Sequence, residues 1–220
     1  METFVTQALT LLPIAARWGI FVLAVSTYTA HHTGWHFPAV SYRRLASILA
    51  AFYGGYAALL TIGQYALWSG DWWGRHFLNT PLDVTLPIPL VHAFPGFFGG
   101  ALGYFLFYSW GRFWLGAVLA VGVALLFWWF LRVLKRRNER FFEESETELG
   151  FLAALIAGWP QVLIFLAVTF LAVVLISIAR MLFFKKSLTT LGLPFLIGAC
   201  AALAFGGALA ALLGVGVLMA

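Results

Sequence analysis

An all-α fold, a polytopic membrane bundle of six to seven helical spans, is what this sequence predicts, and three observations predict it. Hydrophobic residues make up 63% of the chain and charged residues 10%, and the mean hydropathy is +0.95, far above what a water-soluble core requires. The apolar residues fall in runs of 20 or more, long enough for a helix to cross the hydrocarbon layer. Alternating strands of about ten residues are absent, which excludes a closed transmembrane barrel.

Composition narrows the function classes as well. Cys200 is the single cysteine, so internal disulfides and CxxC metal or redox motifs are excluded. The first residues carry Glu2 and no Lys or Arg before Arg17, so the basic region of a signal peptide is not seen. Thirteen Lys and Arg against eight Asp and Glu read as loops facing anionic lipid; no basic-aromatic face interrupts the apolar runs, so nucleic acid is not an expected partner. The expected location is a membrane, and the expected partner is lipid.

Seven hydrophobic segments follow in order, at about 4–28, 44–68, 85–108, 112–134, 148–158, 161–184 and 193–218. Six are long enough to span and the fifth is short. The run from Leu149 to Phe184 is too long for one span, and Gly158-Trp159-Pro160 is its natural break, because proline removes a helix hydrogen bond and clashes with the preceding turn. Small residues at Gly96, Gly99, Gly100 and Gly103 predict close helix packing in the third segment. Tryptophans near segment ends, such as Trp68, Trp72, Trp73, Trp110 and Trp114, read as interfacial anchors.

Counting Lys and Arg around the loops sets an orientation. Nine lie on one side: Arg75, the five from Arg132 to Arg140, and the three from Arg180 to Lys186. Three lie on the other: Arg43, Arg44 and Arg112. The positive-inside rule then puts the 69–84, 135–147 and 185–192 loops in the cytoplasm, with the first residues inside, the last outside, and the short fifth segment crossing.

Polar chemistry has few places to go. Five of the eight acidic residues lie between Glu139 and Glu148, where a charged stretch beginning at Lys135 runs into an apolar helix. Arg17, midway along the first segment, reads as a tether between helices or as a mark that the segment lies shallow, and His92 as a packing histidine. His31, His32 and His36 fall in the first outside loop, but no His follows His92, so neither a metal nor a cofactor is expected. Asp71, Asp83 and Glu148 all fall on the cytoplasmic side by the charge count. Two facing carboxylates at a helix end can share a proton and activate a water.

From Leu149 onward, LGFLAALIAGWPQVL and the Pro194-Phe195-led last helix resemble the C-terminal half of type IV prepilin peptidases, which are membrane aspartyl proteases. Aligning Leu152-Ala153-Ala154-Leu155 places Glu148 where that family carries the second catalytic Asp of its GxGD motif. The stretch from Pro81 to Pro87 resembles the family's Pro-Asn/Asp-x-x-Thr-x-Pro segment, and Asp71, ten residues earlier, is the acid nearest the first catalytic position. The resemblance covers about residues 44–218, so residues 1–43 read as an N-terminal helix and loop and 44–220 as a peptidase-like bundle. It implies cleavage of leader peptides on pilin-like precursors, with Asp71 and Glu148 as the dyad and Asp83 in reserve. Ser145-Glu146-Thr147-Glu148 lacks the motif's glycines, which leaves a second expectation: an inactive relative serving as a scaffold or subunit among other membrane proteins. In that case Ser145-x-x-Glu148 is a capping box, and Lys135/Glu139 and Arg140/Glu144 are i,i+4 pairs on a charged helix face.

Overall fold

The computed structural model describes residues 2–33, 40–82, 88–137, 145–184 and 190–212, and among them every regular element is helical. The elements are α1 (Glu2–Thr33), α2 (Tyr42–Gly70), α3 (Trp72–Leu78), α4 (Pro89–Ala93), α5 (Pro95–Phe98), α6 (Gly103–Ser109), a π-helical turn (Trp110–Trp114), α7 (Leu115–Arg137), α8 (Glu146–Ala157), α9 (Val162–Phe184) and α10 (Gly192–Leu212). Among the described residues, five stretches are long and apolar enough to cross a membrane: Leu9–Thr33, Tyr42–Gly70, Gly103–Arg137, Val162–Phe183 and Gly192–Leu209.

Two differences from the seven-segment reading have local causes. The third segment is not one helix. Proline starts α4 and α5, and a bend at Gly99-Gly100 separates them from α6. The gap drawn near Gly111 does not exist, because α6 and α7 join through the π-helical turn into one 35-residue stretch. Of Gly96, Gly100 and Gly103, the expected close approach is found at Gly103. A side chain on Gly96 or Gly100 meets nothing within 4 Å, whereas Gly103 is pressed against the Phe98 carbonyl and the Leu82 backbone.

The chain forms two compact units, residues 1–51 with 119–220 and residues 52–118. In the first, α8 is the buried element: Leu152, Ala154 and Leu155 are fully covered, as an element that is apolar on every side requires. At about 1.5 Å per residue its 12 residues reach only about 18 Å. Gly158 ends it with φ 69°, a value that glycine adopts freely, and α9 leaves in the opposite direction after Pro160, the break expected there. α9 and α10 pack antiparallel through small residues, with Gly198 against Phe165 and Thr169, and Gly206 against Gln161. Phe127 of α7 meets Phe165 and Phe195 edge-on, at centroid distances of 5.6 and 5.9 Å. α1 runs antiparallel to α8, and Arg17 donates to the Ala157 carbonyl at 3.4 Å, which is the expected tether.

In the second unit, Trp68 lies against Phe77, Tyr104, Phe105 and Tyr108, and Leu82, Val91 and Phe98 form a small core. Trp114 Nε1 donates to Thr61 Oγ1 at 3.1 Å. Trp72 and Trp73 are exposed, as anchors must be. His92 is exposed on α4, so the packing role expected of it does not hold.

Candidate carboxylate cleft

The first turn of α8 carries the acidic residues, and its backbone decides where they point. Ser145 precedes the helix with φ 67° and ψ 0°, in the left-handed region, and its side chain makes no capping bond. An N-cap serine that bonds the first turn takes an extended backbone, so the expected capping box does not form. The Ser145 carbonyl instead accepts from the Glu148 and Leu149 amides at 3.0 and 2.9 Å.

That geometry sends the two glutamates different ways. Glu146 is 4% exposed, and its Oε1 accepts from the Gly192 N–H at 2.7 Å. Gly192 opens α10, whose first amides have no partner within their own helix, so a carboxylate from α8 caps α10 across the fold. A side chain there would force a shift: a Cβ would stand 2.6 Å from the Tyr28 ring and 3.3 Å from Glu146 Oε1. Glu148, two residues on, is half-buried and lines an open cleft of about 730 Å³.

The other walls come from the end of α1 and the start of α2. Tyr28, His31 and His32 supply one side, with Ser41 and Tyr42 beside them. His32 Nδ1 lies 3.0 Å from the Tyr28 carbonyl, and the two rings lie 4.3 Å apart at a tilt of 33°, contacts made within the last turns of α1. The cleft therefore combines carboxylates, imidazoles and phenols, groups able to take up, hold and pass on a proton. Among the described residues no cluster of three or more His, Cys, Asp or Glu is arranged to hold a metal ion.

Of the three carboxylates singled out from the sequence, only Glu148 lies on this cleft. Asp71 belongs to the second unit, where it is exposed in an extended backbone (φ −108°, ψ 149°) ahead of α3 with no side-chain capping bond. Asp83 lies outside the described residues, as do His36, Glu139, Arg140 and Glu144 and the ion pairs expected of them. Glu146 was missed, because its partner is 46 residues away and no local pattern announces it. The histidines at positions 31 and 32, expected across the membrane from the 135–147 loop, open onto the same cleft as Glu148. No family model, no curated protein and no solved structure matches this chain.

Proposed function

We propose that this chain is a membrane peptidase of the prepilin-peptidase type, trimming leader peptides from pilin-like precursors at a prokaryotic cytoplasmic membrane. The observation that carries the reading is Glu148, a carboxylate lining an open cleft at the head of a buried helix, among groups that can exchange protons. In this reading an ionised carboxylate takes a proton from water as the water oxygen attacks the scissile carbonyl. A protonated carboxylate gives its proton to the carbonyl oxygen, and the proton gained from water then passes to the leaving amine. Glu148 is one of the two groups, and Asp71 is the second by the family resemblance. The test is co-expression with a leader-bearing pilin: the wild type cleaves it, and Glu148→Gln or Asp71→Asn abolishes cleavage while the protein still folds in the membrane.

One observation favours a second reading, that of an inactive relative acting as a scaffold or subunit. Glu146, the most buried carboxylate beside the cleft, is bonded to a helix end rather than directed at a reaction centre. A wild type that cleaves no leader-bearing precursor, and that is recovered in a stoichiometric membrane complex, supports this reading and sinks the first.

A further inference from the structure

The helix ends of the first unit sort by charge. Glu146 meets Gly192, so α8 and α10 begin at one level. Tyr28, His31 and Tyr42 open onto the same cleft, so α1 ends and α2 begins there. Phe127 packs on Phe165 and Phe195, and Leu131, one turn on, packs at Gly150, so α7 runs toward that end. Antiparallel to α10, α9 runs toward it as well.

Seven of the ten Lys and Arg among the described residues lie in these ends: Arg43, Arg44, Arg132, Lys135, Arg136, Arg137 and Arg180; in the sequence, Arg140 follows α7, and Lys185 and Lys186 follow α9. Of the remaining three, Arg17 sits inside α1, while Arg75 and Arg112 belong to the second unit. Among the described residues of the first unit, no Lys or Arg lies at the opposite end, where α1 starts and α10 finishes. Beside the cleft, Arg43 and Arg44 line a smaller cavity of about 460 Å³ with Ser41, Ser47 and Ile48, pairing two guanidinium groups with an exposed aliphatic side chain.

We propose that this end of the first unit lies at the cytoplasmic leaflet and binds its anionic phospholipid headgroups, with α1 starting on the opposite side of the membrane. Cations in short loops are retained on the cytoplasmic side, and the anionic lipid of that leaflet attracts basic segments beside membrane helices. A guanidinium pair suits a phosphate, and the neighbouring aliphatic surface suits the start of an acyl chain. The nine-to-three count from the sequence puts the loop after α1 on the other side because it divides Gly103–Arg137 into two crossings. Joining them removes one crossing and moves that loop to the basic side. The histidines and glutamates of the cleft then meet the cytoplasm together. This orientation keeps Glu148 at the cytoplasmic face, but it bears on the peptidase reading at one point: a spanning α2 that begins at the cleft ends, before Asp71, on the other side, so the orientation and an Asp71–Glu148 pairing cannot both hold.

Single cysteines in a Cys200→Ala background test it. Gln7→Cys and Thr10→Cys mark the start of α1, and Thr33→Cys and Ser41→Cys mark the cleft end; all four positions are exposed. With a membrane-impermeant maleimide the first pair labels in intact cells, and the second pair labels only after permeabilisation. The reverse pattern, or labelling of both pairs from one side, overturns the orientation. The headgroup is tested on purified protein in detergent with added phosphatidylglycerol, phosphatidylcholine or inorganic phosphate. Phosphatidylglycerol alone raises the Tm by about 2–4 °C, and Arg43→Gln/Arg44→Gln removes that rise. Equal shifts with both lipids, or the same rise with inorganic phosphate, overturn headgroup binding.

Discussion

Glu146 and Gly192 join two helix starts through one buried bond, a carboxylate oxygen 2.7 Å from a backbone N–H. Removing the acceptor leaves a buried donor unpaired, which costs about 1–3 kcal/mol. Glu146→Ala is therefore expected to lower stability by that amount in detergent unfolding, and Glu146→Gln, which keeps an acceptor oxygen, by less. A neutral Glu146→Ala would show that the bond contributes nothing to holding α10.

Ser145 gives an independent check on the same turn. A capping serine replaced by alanine costs about 0.5–2 kcal/mol, but here no side-chain capping bond exists to be lost. Ser145→Ala is expected to change stability by less than about 0.5 kcal/mol, the usual range for a surface substitution away from special features. Ser145→Gly, which suits φ 67°, is expected to be neutral or stabilising by up to about 1 kcal/mol. A large loss in either variant would restore the capping box.

What could be read from the sequence divides along the range of the interaction involved. α2, α9 and α10 are long apolar runs, so hydropathy finds them, and the break at Gly158-Trp159-Pro160 is written in residues that cannot continue a helix. Hydropathy does not see why 85–108 fails as a span, since its average ignores the backbone effect of Pro89 and Pro95. It also divides a helix at Gly111-Arg112 that a π-helical turn carries through. Glu148 could be picked out by alignment to the apolar stretch that follows it. Glu146 could not, because its meaning lies in Gly192, and neither could the meeting of His31 and His32 with the start of α8.

The α9–α10 contact predicts a difference between two glycines nine residues apart. A side chain on Gly198 would run into Thr169 Oγ1 and approach the Phe165 carbonyl, while one on Gly207 meets nothing within 4 Å. Overpacking a tight contact costs about 1–3 kcal/mol, so Gly198→Ala is expected to destabilise by that much. Gly207→Ala is expected to be neutral or stabilising by up to about 1 kcal/mol, because alanine is the better helix former. Equal effects at the two positions would mean that α9 and α10 are not packed through this face.

Arg17 sets two effects of opposite sign against each other. Its guanidinium reaches the Ala157 carbonyl from within a membrane-length helix, eight residues past Leu9 and so about 12 Å along the span. Hydrogen bonds between membrane helices contribute about 0.6 kcal/mol on average and at most about 1.7. Inserting an arginine near a helix centre costs about 2.5–3.5 kcal/mol on the insertion scale. The second effect is larger, so Arg17→Met is expected to raise the membrane-inserted fraction of α1 despite losing the tether. In an unfolding assay that keeps α1 in the detergent phase, the insertion difference cancels and only the tether is read. There Arg17→Met is expected to lose about 0.5–1.5 kcal/mol. A loss above about 3 kcal/mol would mean that Arg17 does more than hold α1 to the end of α8, and would direct attention to the turn at Gly158 as a second place where this chain keeps buried polar chemistry.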